Sequence, residues 1–130
     1  MSCLETTFLI DLLRGKKEVT ALKDELERTE KDLAVTTPSI MELWAGTLLA
    51  KVPAKEQEEV KMLLQSLTIL PLDEAAAKEA AEIEVELRRR GNPIQPEDVM
   101  IAGIARSRGE KLVTRDEDYA RIPGLRLLKY

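Results

Sequence analysis

From Pro96 to Tyr119 the sequence PEDVMIAGIARSRGEKLVTRDEDY forces a helix and a strand into one shared interior. Pro96 suits the first turn of a helix, where its missing N–H would go unpaired anyway, and Glu97 and Asp98 follow where negative charge favours the helix dipole. Val99 to Ala105 is apolar or small on every side, the pattern of a helix enclosed in a core. The helix is expected to stop around Gly109. Lys111 to Thr114 then reads as a short buried strand ending abruptly in Arg115, Asp116, Glu117 and Asp118. Asp98 thus stands at the mouth of a helix and Asp116 just past the C-terminal end of a strand. In open parallel α/β sheets that edge is where ligands bind, so an acid there is a site candidate.

The rest of the chain repeats the alternation. Ser2 to Leu4 is a strand candidate feeding an apolar helix over Phe8 to Leu13, which either Thr6 or Thr7 can cap and which Arg14, Gly15, Lys16 and Lys17 end. Glu18 to Lys31 reads as an exposed amphipathic helix and Asp32 to Thr36 as the second strand. Thr37-Pro38-Ser39 opens a helix with Glu42 in its early turns, and Lys51 to Lys55 is read as a turn before a helix over Glu56 to Ser66. Thr68 to Leu72 is the third strand, Glu74 to Arg90 a long helix capped by Asp73, and Leu125, Leu127 and Leu128 supply a final strand after a turn over Tyr119 to Gly124. Strands alternating with helices imply an α/β fold with a mainly parallel sheet between helices. Residues 1–130 are expected to form one domain.

Composition narrows the function classes. Aromatic residues are only 3% against 44% hydrophobic, so the core must be built from Leu, Ile, Val and Ala. The single Cys3 forms no internal disulfide and reads as inert packing. No apolar run approaches a signal peptide or membrane span, which points to a cytosolic protein. A formal charge of −4 gives no long-range attraction for nucleic acid, so any such contact must be local. The absence of His removes the usual general base and every Ser-His or Cys-His nucleophile. Chemistry in this chain runs on carboxylates.

Glu5 follows the first strand, Asp116 follows the fourth, and Glu42 and Asp98 stand in the opening turns of two helices leaving the same sheet edge. Converging carboxylates raise one another's pKa values, and a hard divalent cation relieves them; Mg²⁺ or Mn²⁺ fits oxygen-only ligands. Two such ions could activate a water and steady the leaving oxygen in phosphodiester cleavage without His or Cys. Arg14, Lys16, Lys17 and Arg115 are the basic residues nearest this edge and are candidates for phosphate positioning.

LETTFLIDLLRG, SIMELWAG and EDVMIAGIARSRGEKLVTRDEDYARIPGLRLL, in this order and spacing, resemble the PilT N-terminus (PIN) domain, especially the toxin ribonucleases of VapBC toxin–antitoxin pairs. The resemblance spans nearly the whole chain, and its last block is the most specific. It implies a three-layer α/β/α sandwich with about five strands and a metal-dependent endoribonuclease acting on RNA. It further implies a homodimer held inactive by a cognate antitoxin. The family's acids fall on Glu5, Glu42, Asp98 and Asp116, with Thr6 and Thr114 as supporting hydroxyls and Asp118 close to the metal. One position departs from the pattern: the family's first acid is ordinarily Asp, and here it is Glu5, whose extra methylene moves the carboxylate outward.

Each acid also has a purely structural reading. Asp98 suits a helix dipole, Glu42 could close a capping box begun by Ser39, and Asp116 to Asp118 could be solvated turn residues. Their joint placement on one sheet edge favours a site. Trp44 reads as a core or groove-lining residue. Two further functions compete with the nuclease. One is a catalytically weakened PIN-like domain, disabled at Glu5 and kept as a binding or scaffold module. The other is a phosphoacceptor domain, which would want a lysine beyond a late strand where this chain offers only Lys129.

Overall fold

A computed structural model describes residues 1–130. The elements run β1 (Ser2–Leu4), α1 (Thr6–Leu13), α2 (Lys17–Thr29), β2 (Leu33–Thr36), α3 (Thr37–Leu48), α4 (Pro53–Gln65), β3 (Thr68–Leu70), α5 (Glu74–Arg89), α6 (Pro96–Ser107), β4 (Lys111–Thr114), a 3-10 turn (Glu117–Arg121) and β5 (Leu127–Lys129). The strands form one sheet in the order β3-β2-β1-β4-β5, and every pairing is parallel. This is the expected three-layer α/β/α arrangement of the PIN-like class.

Alternation along the strands sorts side chains between the two faces. Cys3, Ala34 and Leu112 share a core with Ile83, Ile101 and Ile104 of α5 and α6. Leu4, Val35 and Val113 point the other way, into a core with Phe8 of α1, Leu43 of α3 and Val60 of α4. Cys3 is fully buried, and desolvation first, then the charges of Glu110 and Glu5, push its thiol up to about 12. It is packing, not a nucleophile. Gly103 lets α6 approach α5 closely: a Cβ there would lie 2.7 Å from the Ala80 Cβ and 2.8 Å from the Ala76 carbonyl oxygen. No helix is long and apolar enough to cross a membrane.

Some boundaries differ from those expected. The turn read over Lys51 to Lys55 is cut short because α4 begins at Pro53, using proline in its first turn as α6 does. β3 ends at Leu70, next to Pro71, which has no N–H to continue a ladder. α1 is capped by Glu5, whose carboxylate accepts from the Thr7 backbone N–H, so neither Thr6 nor Thr7 serves as the cap. α3 is capped by Thr36, whose hydroxyl accepts from the Ser39 N–H, and this leaves Glu42 outside any capping box.

Candidate metal centre

β1 is the strand at which the winding reverses, β2 and β3 being laid on one side and β4 and β5 on the other. Such a switch point opens a crevice at the C-terminal ends of the strands. Glu5 leaves β1 into it with its backbone N–H still donating to the Val113 carbonyl at 3.0 Å. Thr114 ends β4 in the same place, and its hydroxyl accepts from the Asp116 N–H at 3.0 Å. Asp116 in turn accepts at Oδ1 from the Asp118 N–H at 2.9 Å, which closes the 3-10 turn. Asp98 arrives from the first turn of α6.

Asp98, Asp116 and Asp118 come together there. Each offers a carboxylate oxygen, and the three oxygens lie within 4.8 Å of one another. All three residues are half-buried, and the donor set is oxygen only, as Mg²⁺ or Mn²⁺ requires. The one cation on this group is Arg121, whose guanidinium lies 3.1 Å from Asp118 Oδ1. Burial, followed by repulsion from Asp116, Glu5 and Glu42, pushes the Asp98 carboxyl up to about 6, against a hydrogen bond from Tyr119 that works in the opposite direction. A divalent cation would relieve this crowding of charge, so the residues fit such an ion.

Glu5 and Glu42 stand apart from the three aspartates. Glu5 is only 2% exposed, and its longer side chain folds back over the start of α1. Oε2 accepts from the Thr7 N–H at 2.9 Å, the Thr7 hydroxyl at 2.5 Å and the Thr114 hydroxyl at 2.8 Å, while Oε1 takes a 3.3 Å bond from the Tyr119 hydroxyl. Glu42 lies across the crevice, its Oε1 accepting from the Thr6 hydroxyl at 2.8 Å. Burial, with Glu5 and Glu97 adding to it, raises its carboxyl above the ordinary range despite that bond. Beside Glu42 a cleft of about 320 Å³ opens between α1, α3 and α4, walled by Arg14, Leu43, Gly46, Glu59 and Val60.

The basic residues divide. Arg14 lines this cleft and Lys17 is exposed at the start of α2. Lys16 and Arg115 are spoken for: both reach Asp11, which is 1% exposed, at 3.0 and 2.8 Å, and the Tyr130 hydroxyl completes the cage at 2.9 Å. The Arg115 hydrogen bond, ahead of those from Lys16 and Tyr130, holds the Asp11 carboxyl well below the usual carboxylate range. Arg115 thereby pins the backbone between Thr114 and Asp116 to α1.

Two residues of the site escaped the sequence reading. Tyr119, taken for the start of a turn, is fully buried with its hydroxyl between Glu5 and Asp98. Asp11, which interrupts the apolar run of Phe8 to Leu13, is the buried anchor of the neighbouring loop. A signal existed for Asp11, since a charge inside an apolar helix must find partners.

A model of the PIN domain matches residues 2–125. The chain belongs to the PIN domain family. Over 125 residues this PIN domain is 31% identical to the tRNA(fMet)-specific endonuclease VapC of Salmonella typhimurium, covering 95% of this chain and 93% of that protein. The solved structure of DNA-bound VapBC from the same organism superposes with a TM-score of 0.91 at 30% identity, covering 99% of this chain and 98% of that one. VapBC2 of Rickettsia felis, solved on a promoter DNA fragment, shares the fold with a TM-score of 0.93 at 22% identity, over 99% and 98% of the two chains.

Proposed function

We propose that this PIN domain is a Mg²⁺- or Mn²⁺-dependent endoribonuclease, the cytosolic toxin of a toxin–antitoxin pair, hydrolysing phosphodiester bonds of RNA. The observation that carries the reading is the gathering of the Asp98, Asp116 and Asp118 oxygens within 4.8 Å at the switch point of a VapC-like sheet. Relatives named as endonucleases support the reaction class, and neighbours solved as VapBC assemblies support an antitoxin partner.

In this reading Asp98, Asp116 and Asp118 hold the metal. A bound divalent ion supplies a nucleophilic water at neutral pH and neutralises charge on the leaving oxygen. Glu42, whose Oε1 is fixed by Thr6, lines the cleft and is the carboxyl placed to pass a proton there. Thr114 orients Glu5 and the Asp116 backbone together. Arg14 and Lys17 are the cations free to meet phosphates, while Lys16 and Arg115 serve the fold through Asp11. A homodimer belongs to the same reading, and sedimentation of the purified chain tests it.

The second reading is a PIN domain weakened in catalysis and kept as a binding or scaffold module. It draws on Glu5, whose carboxylate is engaged by four protein contacts and stands outside the aspartate group. One experiment separates the two: incubation of a structured RNA with the wild type, Asp116→Asn and Glu5→Asp, each with Mg²⁺, Mn²⁺ or EDTA. Wild-type cutting that stops in EDTA and in Asp116→Asn is the expected result. Cutting by Glu5→Asp alone would select the module.

A further inference from the structure

Tyr119 stands between the two kinds of acid in the crevice. Its ring is fully buried in the core with Ile101, Leu112 and Ile122, so the hydroxyl has no freedom to wander. That hydroxyl lies 3.0 Å from Asp98 Oδ1 and 3.3 Å from Glu5 Oε1. A phenol has one proton to give, and here two carboxylates compete for it. A phenol ionises only near about pH 10, so at neutral pH the proton stays on and the hydroxyl is a donor. The Asp98 carboxylate is thus held at Oδ1, and no protein donor reaches its Oδ2.

We propose that Tyr119 is a positioning residue: its hydroxyl ties Asp98 to the buried Glu5, so that Glu5 acts on a bound metal through Tyr119 rather than by direct ligation. The extra methylene of Glu5 allows this. The side chain is long enough to turn back onto Thr7 and Thr114 with one oxygen and still meet the phenol with the other. Asp98 is left with a fixed orientation and a free oxygen. Partners behind a ligand of this kind are worth about 10- to 100-fold in metal affinity.

The proposal rests on the metal centre proposed above, and its test separates the two. Mn²⁺ affinity is measured by the electron paramagnetic resonance signal of the free ion. The proteins are the wild type, Tyr119→Phe, Glu5→Gln, the double variant and Asp116→Asn, each checked by thermal unfolding in EDTA. Tyr119→Phe keeps the ring in the core and is expected to lower Mn²⁺ affinity about 10- to 100-fold. The double variant should lose no more than the weaker-binding single variant, because both changes break one chain of contacts. Unchanged affinity in Tyr119→Phe, or losses that multiply in the double variant, would overturn the proposal. Wild-type affinity in Asp116→Asn would instead overturn the metal centre. A readout that leaves Tyr119 intact uses Tyr130→Phe, which makes Tyr119 the only tyrosine of the chain. Saturation with Mg²⁺ should then shift its near-ultraviolet absorption, and an unshifted spectrum counts against the tie to Asp98.

Discussion

Replacing Asp98 by Asn should make the metal-free protein more stable at neutral pH. Burial and the neighbouring carboxylates push the Asp98 carboxyl from 3.8 to about 6, so the folded chain carries there a charge that the unfolded chain tolerates better. At 1.36 kcal/mol per pH unit that interval corresponds to about 3 kcal/mol. Asp98 is half-buried, and screening by solvent reduces the expected gain to about 1–2 kcal/mol, or about 3–6 °C in Tm. The amide keeps an oxygen for the Tyr119 hydroxyl, so no buried donor is stranded. An acid whose folded pKa lies above its unfolded value binds more protons in the native state between the two, so wild-type stability falls as pH rises from about 4 to 6. The advantage of the variant is therefore complete above about pH 6.5 and absent near pH 4. Urea unfolding in EDTA at pH 7.5, 6 and 4.5 measures it. Saturating Mn²⁺ should reverse the order, since a ligand at 100 times its Kd stabilises the wild type by about 2.7 kcal/mol. A variant less stable than the wild type in EDTA at pH 7.5, or a difference that ignores pH, would refute the reasoning.

Asp11→Asn removes a buried anion from Arg115, Lys16 and Tyr130; because both cations are partly exposed and can turn to water, the loss is expected at about 2–3 kcal/mol in urea unfolding. The depressed Asp11 pKa stabilises the fold above about pH 4, and that contribution is lost as pH falls below it, so acid unfolding of the wild type should be steeper than that of the variant. Gly103→Val places carbon within 3 Å of Ala80 and the Ala76 carbonyl and should cost about 2–3 kcal/mol, seen as a lower Tm with EDTA present. Asp73→Ala removes the carboxylate that accepts from the Ala76 N–H at 2.9 Å and should cost about 1 kcal/mol.

Strand and helix order was legible because each signal was local. Short apolar runs bounded by turns marked all five strands to within a residue or two, and glycine or basic residues marked helix ends. α4 was misjudged at Pro53, although the rule that placed Pro96 at a helix start applies there equally. The acids at the sheet edge were also legible, since their positions follow from where strands stop and helices begin. What could not be read was which of them meet. Glu5 looks equivalent to Asp116 until its longer side chain is seen capping α1 and held in addition by Thr114 and Tyr119, which arrive from far along the chain. Tyr119 was missed because nothing local distinguishes an aromatic residue ending an acidic run from one beginning a turn. Its role comes from the depth at which the 3-10 turn docks.

The central place of β1 also has a consequence for the chain while it is being made. β1 pairs with β2 soon after both are synthesised, but its other edge waits for β4, and Glu5 waits for Thr114 and Tyr119, which follow it by 109 and 114 residues. Synthesis proceeds at about 5–20 residues per second, and such distant pairings form late. A nascent chain thus carries Glu5 and Glu42 for seconds with none of the three aspartates. The acidic group at the switch point, and any chemistry it carries, is therefore incomplete until the last quarter of the chain has been made.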